Sequence, residues 1–396
     1  MSTSPATAPL TTVAGYLLTR LAEAGVISVF GVPGDYNLGI LDAIENRKSM
    51  AWVGTATEQG AGYAADSYAR LRGLGAFVTT FGAGELSAMN AVAGAYAESA
   101  PMVHIVGTPA LAARAAGVTL HHNLPGTDFG RFARMAAEVT VAQADLRADT
   151  APAEIDRVLR TALRTSRPVY LAIPADVAGP PVPGPAAPLR TDQSTEADPL
   201  VVNMFADRAR QVSASAGSQA AGLTQRGLWA RVRDFLLPGD LVVADQGTAF
   251  SDAAEVALPE ATRMIGQPMW ASAGWALPAA LGASLAEPSR RVVLITGDGA
   301  MQQTAAELGT LLAQGLALVM IVISKGGYAT ERLIGPDDAP ALPRDLTREV
   351  GGVRGGVLAE LRLGRARGTG IRAGGRIPAG GGPAEADLCQ ISGAGA

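Results

Sequence analysis

Two α/β domains built on parallel sheets are predicted from three observations. Short β-branched runs alternate with alanine-rich helical stretches from Thr11 to about Pro183, the same rhythm returns between Gly227 and Pro336, and a Pro-, Ser- and Thr-rich stretch separates the two blocks. Strands that alternate with helices form parallel sheets covered on both faces, and functional groups gather at the carboxyl ends of those strands.

In the first block, residues 1–183, strands are expected within GVISVFGVPGD, VGTATEQ, GAFVTTFGAGE, MVHIVGTPA and RPVYLAIPAD. Residues 184–225 read as a linker, with one weak helical segment from Met204 to Val212. The second block, 226–336, opens on LWARVRDFLLPGDLVVADQGTAF and closes on LALVMIVISKGGYATERLIGP, with a strand at Val292–Ile295 ending just before Asp298. Beyond it, residues 337–396 are rich in Gly and Arg, without sustained apolar periodicity, so a disordered tail is expected. The abrupt loss of rhythm inside an unfinished unit also suits a shifted reading frame. The unfinished sheet is expected to leave an open edge and an uncovered apolar face.

Composition narrows the function classes. Of the 396 residues, 48% are hydrophobic and 17% charged, and the net charge of -4 comes without a basic stripe, which argues against a nucleic-acid partner. No basic-then-apolar leader pattern precedes Pro9 and no apolar run approaches the ~18 residues of a membrane span, so a cytoplasmic protein with no membrane partner is expected. The single cysteine, Cys389, rules out an internal disulfide framework. The three histidines, His104, His121 and His122, are a poor zinc set by number and spacing.

Several segments carry chemistry together. TGDGAMQQ places Asp298 between glycines directly after a strand, with a helix, a further strand and SKGGYATE following. An Asp-Gly turn alone is common. Glu58 opening a helix would suit the helix dipole, and Asp35 after Pro-Gly would suit a turn. Their combination says more. FGVPGDYNLGILDAIE, TEQGAGYAADSYAR, TFGAGELSAMNAVAGAYAE and LHHNLPGTDFGRF, followed by GDLVVADQGTAF and IGQPMWASAGWALPAALGA, closely resemble the pyruvate and indolepyruvate decarboxylases. These are thiamine diphosphate-dependent 2-oxo acid decarboxylases, and the match keeps its order across about 300 residues.

The resemblance implies a pyrimidine-binding first domain, a diphosphate-binding last domain and a homodimer or homotetramer acting on a small 2-oxo acid. Glu58 would hydrogen-bond the cofactor's pyrimidine, and Asp35, His121, His122 and Glu331 would handle protons. Thr248, Ala271, Ser272, Ala273, Gly299 and Ala300 would line thiamine diphosphate, and Asp298, with the backbone of Gly327, would bind the Mg²⁺ that holds its phosphates. Thr330 replaces a bulkier aliphatic residue of the family, which implies room for aromatic or branched substrates.

The chain departs from the pattern in three places. Lys325 stands where the family has the metal-binding asparagine, and an ammonium offers no lone pair to a cation. Ala273 replaces a large aliphatic side chain that supports the cofactor. The middle domain, of ordinary domain size elsewhere in the family, is reduced here to the linker. These departures keep a second reading open, an inactive remnant or partner of an intact relative. A carboligase of the acetolactate synthase type is a third, against which the paired histidines and Glu331 argue.

Overall fold

The computed structural model describes residues 9–189, 225–247, 249–250, 257–316, 318–323, 358–363, 371–374 and 390–391. The chain divides into two compact units, Met1–Ala197 and Asp198–Ala396.

The first unit runs β1 (Leu10–Thr12), α1 (Val13–Glu23), β2 (Ser28–Gly31), α2 (Leu38–Glu45), β3 (Ala51–Gly54), α3 (Glu58–Arg72), β4 (Gly75–Thr80), α4 (Ala83–Ser87) and α5 (Met89–Ala97). It continues through β5 (Met102–Thr108), α6 (Leu111–Ala115), α7 (Arg131–Ala137), β6 (Gln143–Asp145), α8 (Ala151–Thr165), β7 (Val169–Pro174) and β8 (Pro181–Pro183). Six strands form one sheet in the order β3-β2-β4-β5-β7-β6, and every pairing is parallel. Strand side chains alternate between faces. Val29, Ala76, Val78, Val103, Ile105 and Leu171 therefore meet α1, α2 and α8, while Phe30 packs edge-on against Tyr68 of α3 on the other face. Burying each Val, Ile or Leu side chain among these contributes about 1.5–3 kcal/mol.

Helix α8 shows how the sequence specifies its element. Ile155, Val158, Leu159, Ala162 and Leu163 recur at helical spacing and are buried, a proline occupies its first turn, and Ser166 ends it in the left-handed conformation. Its one buried carboxylate, Asp156, accepts bonds from Arg20 Nε and Nη2 at 2.7 and 2.8 Å and from Tyr16 Oη at 3.0 Å. That bidentate pair ties α1 to α8, and losing one partner of such a buried pair costs about 3–5 kcal/mol. A short antiparallel pair, β1 with β8, lies outside the expected parallel arrangement and brings the two ends of the unit together.

The second unit contains α9 (Gln225–Phe235), β9 (Leu241–Ala244), β10 (Arg263–Ile265), α10 (Ala276–Ala286), β11 (Val292–Gly297), α11 (Asp298–Gln303), α12 (Glu307–Ala313) and β12 (Leu318–Ile323). Strands β10, β9, β11 and β12 are parallel neighbours in that order. Leu228, Trp229 and Val232 of α9, with Leu236 just after it, join Val242, Val293, Ile295, Val319 and Ile321 in one core, and the alanine-rich α10 packs against β9 and β11. Strand β11 runs to Gly297, two residues past the expected end, because Thr296 and Gly297 continue the register against Val322 and Ile323.

Part of the terminal stretch differs from expectation. β13 (Leu358–Leu363), β14 (Ile371–Gly374) and β15 (Gln390–Ile391) extend the sheet antiparallel to β12 and to one another. The sequence LAELRL alternates Ala359, Leu361 and Leu363 with Glu360 and Arg362, a short strand pattern set among Gly and Arg. The edge of β12 is thus paired, contrary to the open edge expected. The Met204–Val212 segment and the rest of 337–396 lie outside the described residues. No helix among the described residues is long and apolar enough to cross a membrane.

Candidate active site

In the first unit the chain passes from β2 to β3 on one side and then crosses to β4 on the other. Such a reversal opens a crevice at the carboxyl ends of the two central strands. Asp35 follows β2, Glu58 follows β3, Gly82 follows β4, and His121 and His122 lie in the segment joining α6 to α7. Four of the residues expected to act are thereby brought to one end of one sheet.

Asp35 Oδ2 lies 2.8 Å from His121 Nε2, with both side chains about half exposed. The Tyr36 ring stacks on the His121 ring at 4.9 Å and 16°, and its hydroxyl lies 3.2 Å from His121 Nδ1. A carboxylate on one nitrogen and a hydroxyl beside the other orient the imidazole, as positioned acid–base groups require. His122 adopts φ +63°, a left-handed backbone rare for a histidine. Its ring lies 4.6 Å from that of His121 at 71°, and the polar atoms of Asp35, His121 and His122 fall within 4.8 Å of one another.

The backbone beneath His122 is equally constrained. Gly82 has φ +66°, and a Cβ there would stand 1.9 Å from the His122 carbonyl oxygen, so only glycine permits the contact. Gly82 N–H donates to Oε1 of the buried Glu85 at 2.8 Å, and Tyr170 O–H donates to Oε2 at 2.8 Å. Burial pushes the Glu85 carboxyl up to about 7.

Glu58 opens α3 after Thr57, whose hydroxyl accepts from Gly60 N–H at 3.0 Å and caps the helix. Its carboxylate is half-buried and has no hydrogen-bond partner among the described residues. Oε1 lies against Gly84, 3.2 Å from where a Cβ would stand, and Thr80 borders the same position. The Thr80 hydroxyl is buried without a partner. An unpartnered carboxylate beside a glycine fits a heteroaromatic ring that offers it a donor, while the Thr80 hydroxyl lies on the side of Gly34.

In the second unit, Asp298 stands half-buried at the carboxyl end of β11 and accepts from Gly299 N–H at 2.9 Å. The last described residue of β12, Ile323, pairs with Gly297, which directly precedes Asp298. Ala271 N–H donates to the Gln267 carbonyl at 2.9 Å, Ser272 N–H donates to Gln267 Oε1 at 3.2 Å, and Ala273 follows half-buried. Gly274, at φ +87°, approaches Ala300 so closely that a Cβ would lie 2.9 Å from its carbonyl oxygen, while Thr304 O–H donates to the Gly274 carbonyl at 2.8 Å. The segments 271–273 and 298–300, expected to line one cofactor, are in this way drawn together. Among the described residues Asp298 supplies one oxygen donor of the kind Mg²⁺ prefers. Thr248, Lys325, Gly327, Thr330 and Glu331 lie outside the described residues.

Sequence reasoning missed Asp245, which directly follows β9 and is fully buried. Its Oδ2 accepts from Thr296 O–H at 2.8 Å, and its Oδ1 accepts from Gln246 N–H and Gly274 N–H at 3.2 Å each. Burial pushes the carboxyl up to about 6, against the lowering effect of these bonds. The folded form therefore binds more protons than a free carboxyl between about pH 4 and 6. Stability falls by up to about 3 kcal/mol as pH rises through that window and is flat above it. Asp245→Asn, whose amide can still meet these partners, is expected to flatten this dependence in urea unfolding at pH 4, 5, 6 and 7. The available signal was an acid immediately after four apolar strand residues.

Residues 11–129 match the thiamine pyrophosphate enzyme N-terminal TPP binding domain, and residues 245–337 match the corresponding C-terminal TPP binding domain. An alpha-keto-acid decarboxylase of Mycobacterium tuberculosis is 36% identical over 477 residues, covering 84% of this chain and 85% of that protein. One from Mycobacterium ulcerans is 37% identical over 474 residues, covering 83% and 84%. Both alignments are longer than this chain's 396 residues, so they pass over segments of the relatives with no counterpart here. The fold is similar to a Rhodococcus jostii thiamine diphosphate-dependent 4-hydroxybenzoylformate decarboxylase, with a TM-score of 0.67 at 16% identity over 84% of this chain and 90% of the other.

Proposed function

The chain belongs to the thiamine pyrophosphate enzymes, among the alpha-keto-acid decarboxylases, and from that membership we propose that it converts a 2-oxo acid of the pyruvate, phenylpyruvate or indolepyruvate class to an aldehyde and carbon dioxide. The observation that carries the reading is the Asp35, His121 and His122 constellation at the same sheet end as Glu58. Glu58 would hold the pyrimidine, Asp298 a Mg²⁺, and residues 271–273 with 299–300 the remainder of the cofactor. When bound, thiamine diphosphate supplies the electron sink into which the C–C bond to the carboxylate breaks.

The chain's own residues govern protons. Glu58 would accept a hydrogen bond from, or share a proton with, the pyrimidine ring. One proton replaces the lost carbon dioxide on the former carbonyl carbon. His121, oriented by Asp35 and Tyr36, and His122 beside it would deliver that proton and remove one as the aldehyde leaves, a role their mutual contacts support. Glu331 joins this set by its place in the sequence. We take the working form to be a cytoplasmic homodimer or homotetramer, as the family resemblance implies.

A second reading, a catalytically silent partner of an intact relative, draws support from Lys325 and from the relatives' unmatched segments. Calorimetric titration of thiamine diphosphate with Mg²⁺ into the folded chain, followed by aldehyde-release assays on the three substrates, separates the two. Binding with turnover supports the decarboxylase. Neither one, in a folded protein, overturns it in favour of the silent partner.

A further inference from the structure

We propose that Glu85 is a positioning residue for His122, acting through the backbone of Gly82. Glu85 is fully buried in α4, three residues after Gly82. Its two oxygens are divided between two donors. Oε1 accepts from Gly82 N–H and Oε2 accepts from Tyr170 O–H, each at 2.8 Å. Gly82 is held at φ +66° with its Cα against the His122 backbone, and His122 itself is at φ +63°. Two residues at positive φ thus pack backbone against backbone, a strained arrangement that persists only when its surroundings fix it. The carboxylate that fixes one of them therefore sets where the other carries its ring.

The inference rests on the reading of His122 as a proton-handling group, but its structural content is independent of turnover. The groups facing Glu85 are Gly82 N–H from its own turn, Tyr170 from β7 and the Arg114 guanidinium from α6. Tyr170 in turn faces Asp145 of β6 and meets His104 of β5 edge-on at 5.6 Å. A charged Glu85 accepts the Gly82 bond more strongly than a protonated one. The hold on His122 consequently tightens as pH rises through the neutral range, where the carboxyl sits at about 7.

With three histidines in the chain, ring signals from ¹⁵N-histidine-labelled protein are few enough to follow individually. His104 serves as the fold control, because burial pushes its ring down to about 3 and it stays neutral between pH 5 and 8. Glu85→Ala is expected to move the His122 signals and shift their pH midpoint by about half a unit or more. Glu85→Gln, whose amide oxygen still accepts from Gly82 N–H, is expected to restore the midpoint. An unmoved His122 in Glu85→Ala with His104 still neutral would overturn the proposal and leave Glu85 as a cap of α4. If Glu85→Ala unfolds and His104 begins to titrate, Tyr170→Phe decides the matter. It keeps the Gly82 bond but removes the donor to Oε2, so a smaller His122 shift supports the proposal and none overturns it. A His122 shift in a protein without decarboxylase activity would sink the proposed function and leave this inference standing.

Discussion

Glu58→Gln is expected to lower aldehyde release by roughly 10²- to 10⁴-fold, the usual range for a lost acid–base partner. The fold should survive the change. Glu58 has no hydrogen-bond partner among the described residues, Thr57 caps α3 independently, and removing a negative charge from a helix start costs only about 0.3–1 kcal/mol. Glutamine keeps the shape and one acceptor oxygen but cannot take up a proton from a ring. Thermal unfolding of the variant should thus nearly match the parent while turnover collapses. Turnover within tenfold of the parent would remove Glu58 from the role assigned to it.

The second large effect is expected as a gain. Lys325→Asn should tighten binding of thiamine diphosphate with Mg²⁺ by on the order of tenfold to a hundredfold, or about 1.4–3 kcal/mol. Magnesium demands oxygen ligands at short distances and is repelled by an ammonium. Lys325 lies outside the described residues, and the expectation rests on its place in the sequence, where the family has the metal-binding asparagine. An asparagine two residues beyond β12 would restore the family's oxygen donor to the sequence. Calorimetric titration of parent and variant measures the gain directly. Equal affinities would place any deficit elsewhere, with Ala273 the first position to examine by substitution with leucine.

Some elements were readable because their signals are local. The βα rhythm marked the strands of both sheets, the helix start at Glu58 was marked by the preceding Thr57, and Asp298 was marked by its glycines after an apolar run. Other features were not readable for equally definite reasons. β13 is six residues of short alternation inside a Gly- and Arg-rich stretch, where composition outweighed pattern. The β1–β8 pairing joins segments about 170 residues apart, and nothing in either segment names the other.

By itself the sequence determined the fold class, the resemblance to a decarboxylase family and the identities of the expected proton-handling residues. All three depend on residue order along the chain, which repeats and motifs preserve. Only the tertiary structure decided that Asp35 meets His121, that the carboxyls of Asp245 and Glu85 are held above their ordinary range, and that Gly82 supports His122. Each of these depends on desolvation and on contacts between residues distant in sequence. Such quantities come into being when the sheet brings its strand ends together.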